Sequence, residues 1–117
     1  LKTDALASKY SLLLFYQSDC GPCKQTIAAL NEHYSNLVAK GIKIVALSAD
    51  TDPQVFKDSA AAFSWKDTYC NLEGFNGVNF KSYAVTGTPT MFVLDSKGIL
   101  LKKIATIEQL LTWSEKL

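Results

Sequence analysis

The sequence has 117 residues, 48% of them hydrophobic, and a formal net charge of +1. This length suits one domain with one core, and the longest apolar run, residues 12–16, is far too short to cross a bilayer. Every basic residue is a lysine, and the lysines are scattered among acidic residues. The composition therefore disfavours nucleic acid as a partner and excludes any mechanism that needs a guanidinium group.

Two buried strands flank a long helix in the first part of the chain. The apolar run Leu12–Gln17 predicts a central strand, and Ile42–Leu47 predicts a second one. Between them a helix is expected over Pro22–Lys40, since proline fits the first helical turn and Gly41 is a natural stop.

The middle of the chain predicts a second helix and a weaker strand. Asp52 is placed to cap the helix, with Val55, Phe56 and Ala60 facing inward. The segment Trp65–Tyr69 is compatible with one short strand.

The last part predicts a hairpin between two helices. A short helix is expected over Asn79–Tyr83, and Thr90–Leu94 and Ile99–Ile104 predict strands joined by a polar turn. Thr106 begins a capping-box pattern that opens a final amphipathic helix. Helical crossovers between the early strands imply parallel pairing, so we expect an α/β sandwich with a mixed sheet and helices on both faces.

The chemistry is expected at Cys20 and Cys23, where the first strand ends and the long helix begins. The positive end of a helix dipole stabilises a thiolate and lowers the pKa of a cysteine. The thiolate is the nucleophile in disulfide exchange. We therefore predict Cys20, the more exposed sulfur, as the attacker and Cys23, the more buried one, as the resolving thiol.

The alternatives for a Cys-x-x-Cys pair are a zinc half-site and a structural pair without redox chemistry. Zinc usually takes four ligands, and the remaining Cys and His candidates are Cys70 and His33. His33 lies ten positions beyond Cys23 on the same predicted helix, roughly 15 Å away, so it cannot share a metal with the pair. The sequence favours redox chemistry with no metal and no cofactor beyond the Cys20–Cys23 disulfide. Cys70 is open to two interpretations, a third redox thiol or a buried small residue.

A second motif, Thr88-Pro89-Thr90, directly precedes a predicted strand. A cis bond between Thr88 and Pro89 would expose the Thr88 backbone to an incoming chain, and an ordinary trans proline is the alternative.

These two motifs together resemble the thioredoxin superfamily. The segments 18–24 (SDCGPCK) and 87–90 (GTPT) carry the resemblance, which covers nearly the whole chain. It implies a thioredoxin-like three-layer α/β/α sandwich with a central mixed sheet, formed by residues 1–117 as a single domain. It also implies that Asp19, Gly21 and Pro22 form the active-site loop. Pro89 should be cis and pack against the cysteines, with Thr88 offering backbone hydrogen bonds to the substrate.

Within that superfamily the chain resembles the exported, membrane-tethered TlpA/ResA type of bacterial protein. The features are an early turn at Thr3–Lys9, the long segment Ala62–Val78, and Ser48-Ala49-Asp50 after the second strand. Because the chain begins at Leu1, we expect an excised domain or a mature form. The resemblance implies a periplasmic or other extracytoplasmic location with a membrane or lipid anchor, and the cytoplasm is the alternative.

Several positions depart from the family pattern. Thioredoxin has Trp where this chain has Asp19, and it buries an Asp and a Lys at the positions that match Leu14 and Ala46. The ResA branch often has Glu at the position of Thr26. We therefore expect that no buried carboxylate serves Cys23 as a proton acceptor, so the helix N-terminus should carry more of the thiolate stabilisation.

The predicted function is an enzyme that reduces or exchanges disulfides in partner proteins, taking electrons from a donor that the sequence does not identify. The domain is expected to be soluble and monomeric. One alternative is a non-catalytic thioredoxin-fold binding module. A peroxide-reducing peroxiredoxin is disfavoured because that chemistry needs an Arg beside the cysteine.

Overall fold

The computed structural model describes residues 9–70, 72, 74, 83, 85 and 87–116. Within these residues it contains a five-stranded sheet and three helices. The strands are β1 (Tyr10–Tyr16), β2 (Ile42–Ser48), β3 (Asp67–Tyr69), β4 (Thr90–Asp95) and β5 (Leu100–Ile104), and the helices are α1 (Gly21–Ala39), α2 (Pro53–Ala60) and α3 (Ile107–Ser114).

The predicted elements are confirmed wherever the structure describes them. The main strands and helix α1 begin and end within two residues of the predicted bounds. The predicted strand at Trp65–Tyr69 is shorter, because only Asp67–Tyr69 pairs with β2. The expected turn at Thr3–Lys9 and the expected helix at Asn79–Tyr83 lie largely outside the described residues.

The sheet is mixed, with strand order β3-β2-β1-β4-β5. β1 runs parallel to β2 and antiparallel to β4, so it is the central strand. Its residues from Leu12 to Tyr16 are all buried. A strand covered on both faces needs apolar side chains at consecutive positions, which explains the continuous hydrophobic run.

The core has two parts, one on each face of the sheet. On the first face, α1 and α3 pack over alternate residues of β1, and Trp65 joins them. On the second face, Phe15 packs against Phe92 and Val85. The first cluster contains Leu12, Leu14, Tyr16, Cys23, Leu30, Leu37, Ile42, Ile44, Ala46, Trp65, Met91, Val93, Ile104 and Leu110.

Local signals set the helix ends. Gly41 follows the C-cap residue Lys40 of α1 and has a positive φ of 83°, a conformation that glycine adopts without a steric penalty. Asp52 caps α2, because its Oδ1 accepts hydrogen bonds from the N–H groups of Gln54 and Val55. Thr106 caps α3 by accepting a hydrogen bond from the N–H of Gln109 at 3.2 Å. Both predicted caps are confirmed.

One prediction about α2 was wrong. Val55 is 43% exposed instead of facing inward, and α2 has no fully buried residue. Phe56 and Ala60 are half-buried. A helix of eight residues with no fully buried side chain covers little of the core, so its apolar residues need not all find partners.

None of the three helices in the described residues combines the length and the apolar character that a membrane span needs.

Candidate active site

The cysteine pair lies at the N-terminus of α1. Cys20 is the N-cap residue, and its Sγ accepts a hydrogen bond from the N–H of Cys23 at 3.1 Å. The two sulfur atoms form a disulfide, with 5.1 Å between the Cα atoms. Pro22 lies in the first turn, where its missing N–H costs no hydrogen bond. The first turn contains no acidic residue, so nothing on the helix itself offsets its positive end.

The two sulfurs differ in exposure as expected for their predicted roles. Cys23 is fully buried within the core, whereas Cys20 is half-buried. The surrounding loop residues Asp19, Gly21 and Pro22 are exposed. Cys20 is therefore the more accessible residue of the pair, and the core covers Cys23.

The second motif lies against the first. The Thr88–Pro89 peptide bond is cis, as the resemblance implied. The carbonyl oxygen of Thr88 is 3.6 Å from the Sγ of Cys20, although the two residues are 68 positions apart. The sheet brings them together, because Thr90 at the start of β4 pairs with Phe15 near the end of β1.

The positions behind the pair hold no carboxylate. Leu14 and Ala46 are fully buried and are direct partners in the β1–β2 register. These are the positions that the resemblance matched to a buried Asp and a buried Lys, and here both carry apolar side chains in the core. Thr26 is half-buried on α1.

A buried carboxylate does lie near the active-site loop, at Asp50. Asp50 is 6% exposed and follows β2. It accepts hydrogen bonds from the N–H of Ser18 at 2.9 Å, from the Ser18 hydroxyl, and from the Ser48 hydroxyl at 2.6 Å. The Ser48-Ala49-Asp50 segment carries part of the family resemblance, but the sequence predicts no role for Asp50. The missed signal is that Ser18 and Asp50 each follow a parallel strand by two residues.

Cys70 is separate from the disulfide. It is a free, half-buried cysteine whose thiol donates to the backbone oxygen of Asp50 at 3.1 Å. Among the residues that the structure describes, no group of three His, Cys, Asp or Glu side chains could hold a metal ion.

Tyr16, at the end of β1, has an environment that favours its neutral form. Burial raises the pKa of Tyr16 well above its usual value, and the nearby Asp50 carboxylate and Cys70 thiol add to the rise. The neighbouring Ser48 hydroxyl acts in the opposite direction. The folded protein thus keeps a proton on Tyr16 that the unfolded chain loses above a pH of about 10.

This difference predicts an alkaline loss of stability. Above the unfolded pKa of about 10, the native state binds more protons than the unfolded state, so the free energy of unfolding falls by about 1.4 kcal/mol per pH unit. Tyr16→Phe should flatten this fall in urea denaturation between about pH 9 and 11. The exposed Tyr69 is the matched control, and Tyr69→Phe should keep the wild-type slope. An unchanged slope in Tyr16→Phe would contradict the assignment.

Comparison with known proteins places this site in a family. The sequence profile described as "Thioredoxin-like" matches residues 8–100. The chain therefore belongs to the thioredoxin-like family. Within it, the chain is similar to the ResA and StoA thiol–disulfide oxidoreductases of Bacillus.

The relatives are longer than this chain. ResA of Bacillus thuringiensis subsp. konkukian (strain 97-27) is 31% identical over 108 residues, which are 90% of this chain and 61% of that protein. The sporulation thiol-disulfide oxidoreductase A of Bacillus subtilis (strain 168) is 30% identical over 91% of this chain and 67% of its own length. The chain thus spans about 61% of the ResA protein that it matches.

Solved structures share the fold. StoA of Bacillus subtilis has a TM-score of 0.73 and 25% identity over 92% of this chain and 83% of its own. The thioredoxin domain of a thiol-disulfide oxidoreductase from Bacteroides vulgatus has a TM-score of 0.81 over 97% of this chain and 81% of its own. That second structure is 22% identical, so it supports the fold alone. The predicted thioredoxin-like fold is confirmed.

Proposed function

We propose that residues 1–117 form the catalytic domain of an enzyme that reduces or exchanges disulfides in partner proteins. One observation carries the proposal. The Sγ of Cys20 caps α1, receives the N–H of Cys23 at 3.1 Å, and lies 3.6 Å from the Thr88 carbonyl oxygen. After reduction, this N–H and the helix dipole would stabilise a thiolate on Cys20.

The reaction runs in two exchanges. In the first, the Cys20 thiolate attacks one sulfur of a substrate disulfide, forming a mixed disulfide and releasing the other sulfur as a thiolate. In the second, Cys23 loses its proton and attacks the Sγ of Cys20, which closes the Cys20–Cys23 disulfide and releases the second substrate thiol. The substrate gains two electrons and two protons overall, and the enzyme pair becomes oxidised.

Substrate contact is proposed at Thr88 and Pro89. Thr88 is half-buried beside Cys20, so an extended substrate segment that meets its backbone would lie next to the attacking sulfur. The partners are protein disulfides or dithiols, and a separate dithiol protein returns two electrons to the Cys20–Cys23 disulfide. The cycle needs no metal and no cofactor other than this disulfide, and a monomer suffices for it.

The proposed location is outside the bacterial cytoplasm, with the longer protein anchored to a membrane or a lipid. The similarity to ResA and StoA supports this proposal. The cytoplasm is the alternative location.

Insulin reduction tests the function. With dithiothreitol as the electron source, the wild type should accelerate insulin precipitation, and Cys20→Ser should lower the rate to that of dithiothreitol alone. Cys70→Ser is the matched control, because Cys70 is a cysteine outside the disulfide, and it should retain wild-type activity. Full activity in Cys20→Ser would overturn the mechanism, and an inactive wild type would favour the binding-module alternative.

A further inference from the structure

The buried carboxylate of Asp50 is bonded mainly to the turn that precedes Cys20. Its Oδ1 accepts from the backbone N–H of Ser18 at 2.9 Å, and its Oδ2 accepts from the Ser18 hydroxyl. The third donor is the hydroxyl of Ser48, the last residue of β2, which donates to Oδ2 at 2.6 Å. A buried carboxylate is tolerated only when donors surround it, and two of these three donors belong to Ser18.

The strand register brings these residues together. β1 and β2 are parallel, and Tyr16 is the partner of Ser48 at their ends. The N–H of Ala49 donates to the carbonyl of Tyr16 at 2.8 Å, which continues the pairing past the strands. Ser18 and Asp50 each lie two residues beyond that last pair. They therefore face each other at the carboxyl ends of β1 and β2, where the redox site lies.

Ser18 belongs to a turn that ends at the attacking cysteine. The N–H of Cys20 donates to the carbonyl of Gln17 at 3.2 Å, which closes the turn around Ser18 and Asp19. The hydroxyl of Ser59, on α2, donates to the Ser18 hydroxyl at 2.6 Å. Ser18 is therefore held through both its backbone and its side chain, and Cys20 follows two residues later.

We propose that Asp50 is a positioning residue for Cys20. It holds the turn at residues 17–20 so that the Sγ of Cys20 stays at the N-terminus of α1, within reach of the N–H of Cys23. This inference rests on the proposed function, since a thiolate on Cys20 is the species whose stability the turn controls. Asp50 acts through Ser18 and does not itself take part in the exchange.

The test measures the pKa of the Cys20 thiol through the pH dependence of its alkylation by iodoacetamide in the reduced protein. Ser18→Ala removes the hydroxyl that bonds to Asp50 and Ser59 and leaves every charge in place, whereas Asp50→Asn removes the carboxylate. Each variant should raise the Cys20 pKa by about half a unit to one unit, because a loosened turn weakens the contact with the N–H of Cys23.

Asp52→Asn is the matched control. It removes the same charge two residues further on, at an exposed position whose bonds go to the N-terminus of α2. The Cys20 pKa should remain at the wild-type value in this variant. An equal rise in Asp52→Asn would mean that the rise does not depend on the bonds between Asp50 and Ser18, which would overturn the proposal.

Other outcomes also decide between positioning and a purely structural role. If Ser18→Ala lowers the free energy of unfolding but leaves the Cys20 pKa unchanged, the hydrogen bonds of Asp50 stabilise the fold without positioning Cys20. This result would overturn the proposal. A lowered pKa in Asp50→Asn would show that the carboxylate acts by repelling the thiolate. Ser18→Ala keeps the test valid if Asp50→Asn does not fold. Alkylation needs no partner protein, so its result is independent of the insulin assay.

Discussion

Cys23→Ser should turn the protein into a covalent trap for its substrate. Cys20 keeps its position as N-cap and can still attack a disulfide, but the buried partner that resolves the mixed disulfide is gone. With native, disulfide-bonded insulin as substrate, a mixed disulfide between Cys20 and insulin should accumulate toward one adduct per protein molecule. Mass spectrometry under non-reducing conditions, after quenching with iodoacetamide, measures the yield.

The controls for trapping use the other two cysteines. Cys20→Ser should give no adduct, because Cys23 is fully buried and cannot meet an incoming disulfide. The double variant Cys23→Ser/Cys70→Ser should trap as much as Cys23→Ser, which excludes Cys70 as the attacking thiol. An adduct of equal yield in Cys20→Ser would reverse the assigned roles of the two sulfurs.

Leu30→Ala should cause a large loss of stability. Leu30 is fully buried on the face of α1 that packs against the sheet, and its removal leaves a cavity in the first core cluster. Buried Leu→Ala substitutions cost about 2–5 kcal/mol. Small domains have about 5–15 kcal/mol in total, so this loss is a large fraction. Urea denaturation of the oxidised protein measures the change.

Leu101→Ala is the matched control for Leu30→Ala. The chemical change is the same, but Leu101 is 49% exposed on β5. Its loss should be within about 0.5 kcal/mol of zero, as is usual for surface positions. Equal losses in the two variants would contradict the packing of α1 on the sheet.

The sequence predicts the elements that local signals define. Pro22 and Gly41 locate the two ends of α1, because one fits a first turn and the other adopts a positive φ. The Asp52 and Thr106 caps can also be predicted from sequence, because each side chain bonds to a backbone N–H only two or three residues away. The redox pair follows from its place between the first strand and α1.

Contacts between distant residues are less accessible from sequence. Nothing local predicts that Asp50 holds Ser18, since the two residues are 32 positions apart and meet only through the β1–β2 register. The predicted burial of Val55 was wrong for a related reason. Its apolar character suggests burial, but whether a neighbour covers it depends on where α2 lies against the rest of the fold. The proximity of Thr88 and Cys20 came from the family resemblance and not from the spacing alone.

The pairing of β4 with β1 determines when, during synthesis, the candidate active site becomes complete. The Cys20–Cys23 disulfide joins residues three positions apart, so it can form in a short nascent segment. The contact with Thr88 spans 68 residues and requires β4 to pair with β1. During synthesis, a chain that ends before residue 90 therefore carries the cysteine pair without the β1–β4 pairing that brings Thr88 beside it. If Thr88 contacts substrates as proposed, discrimination between partners arises late, when this long-range pairing completes the sheet.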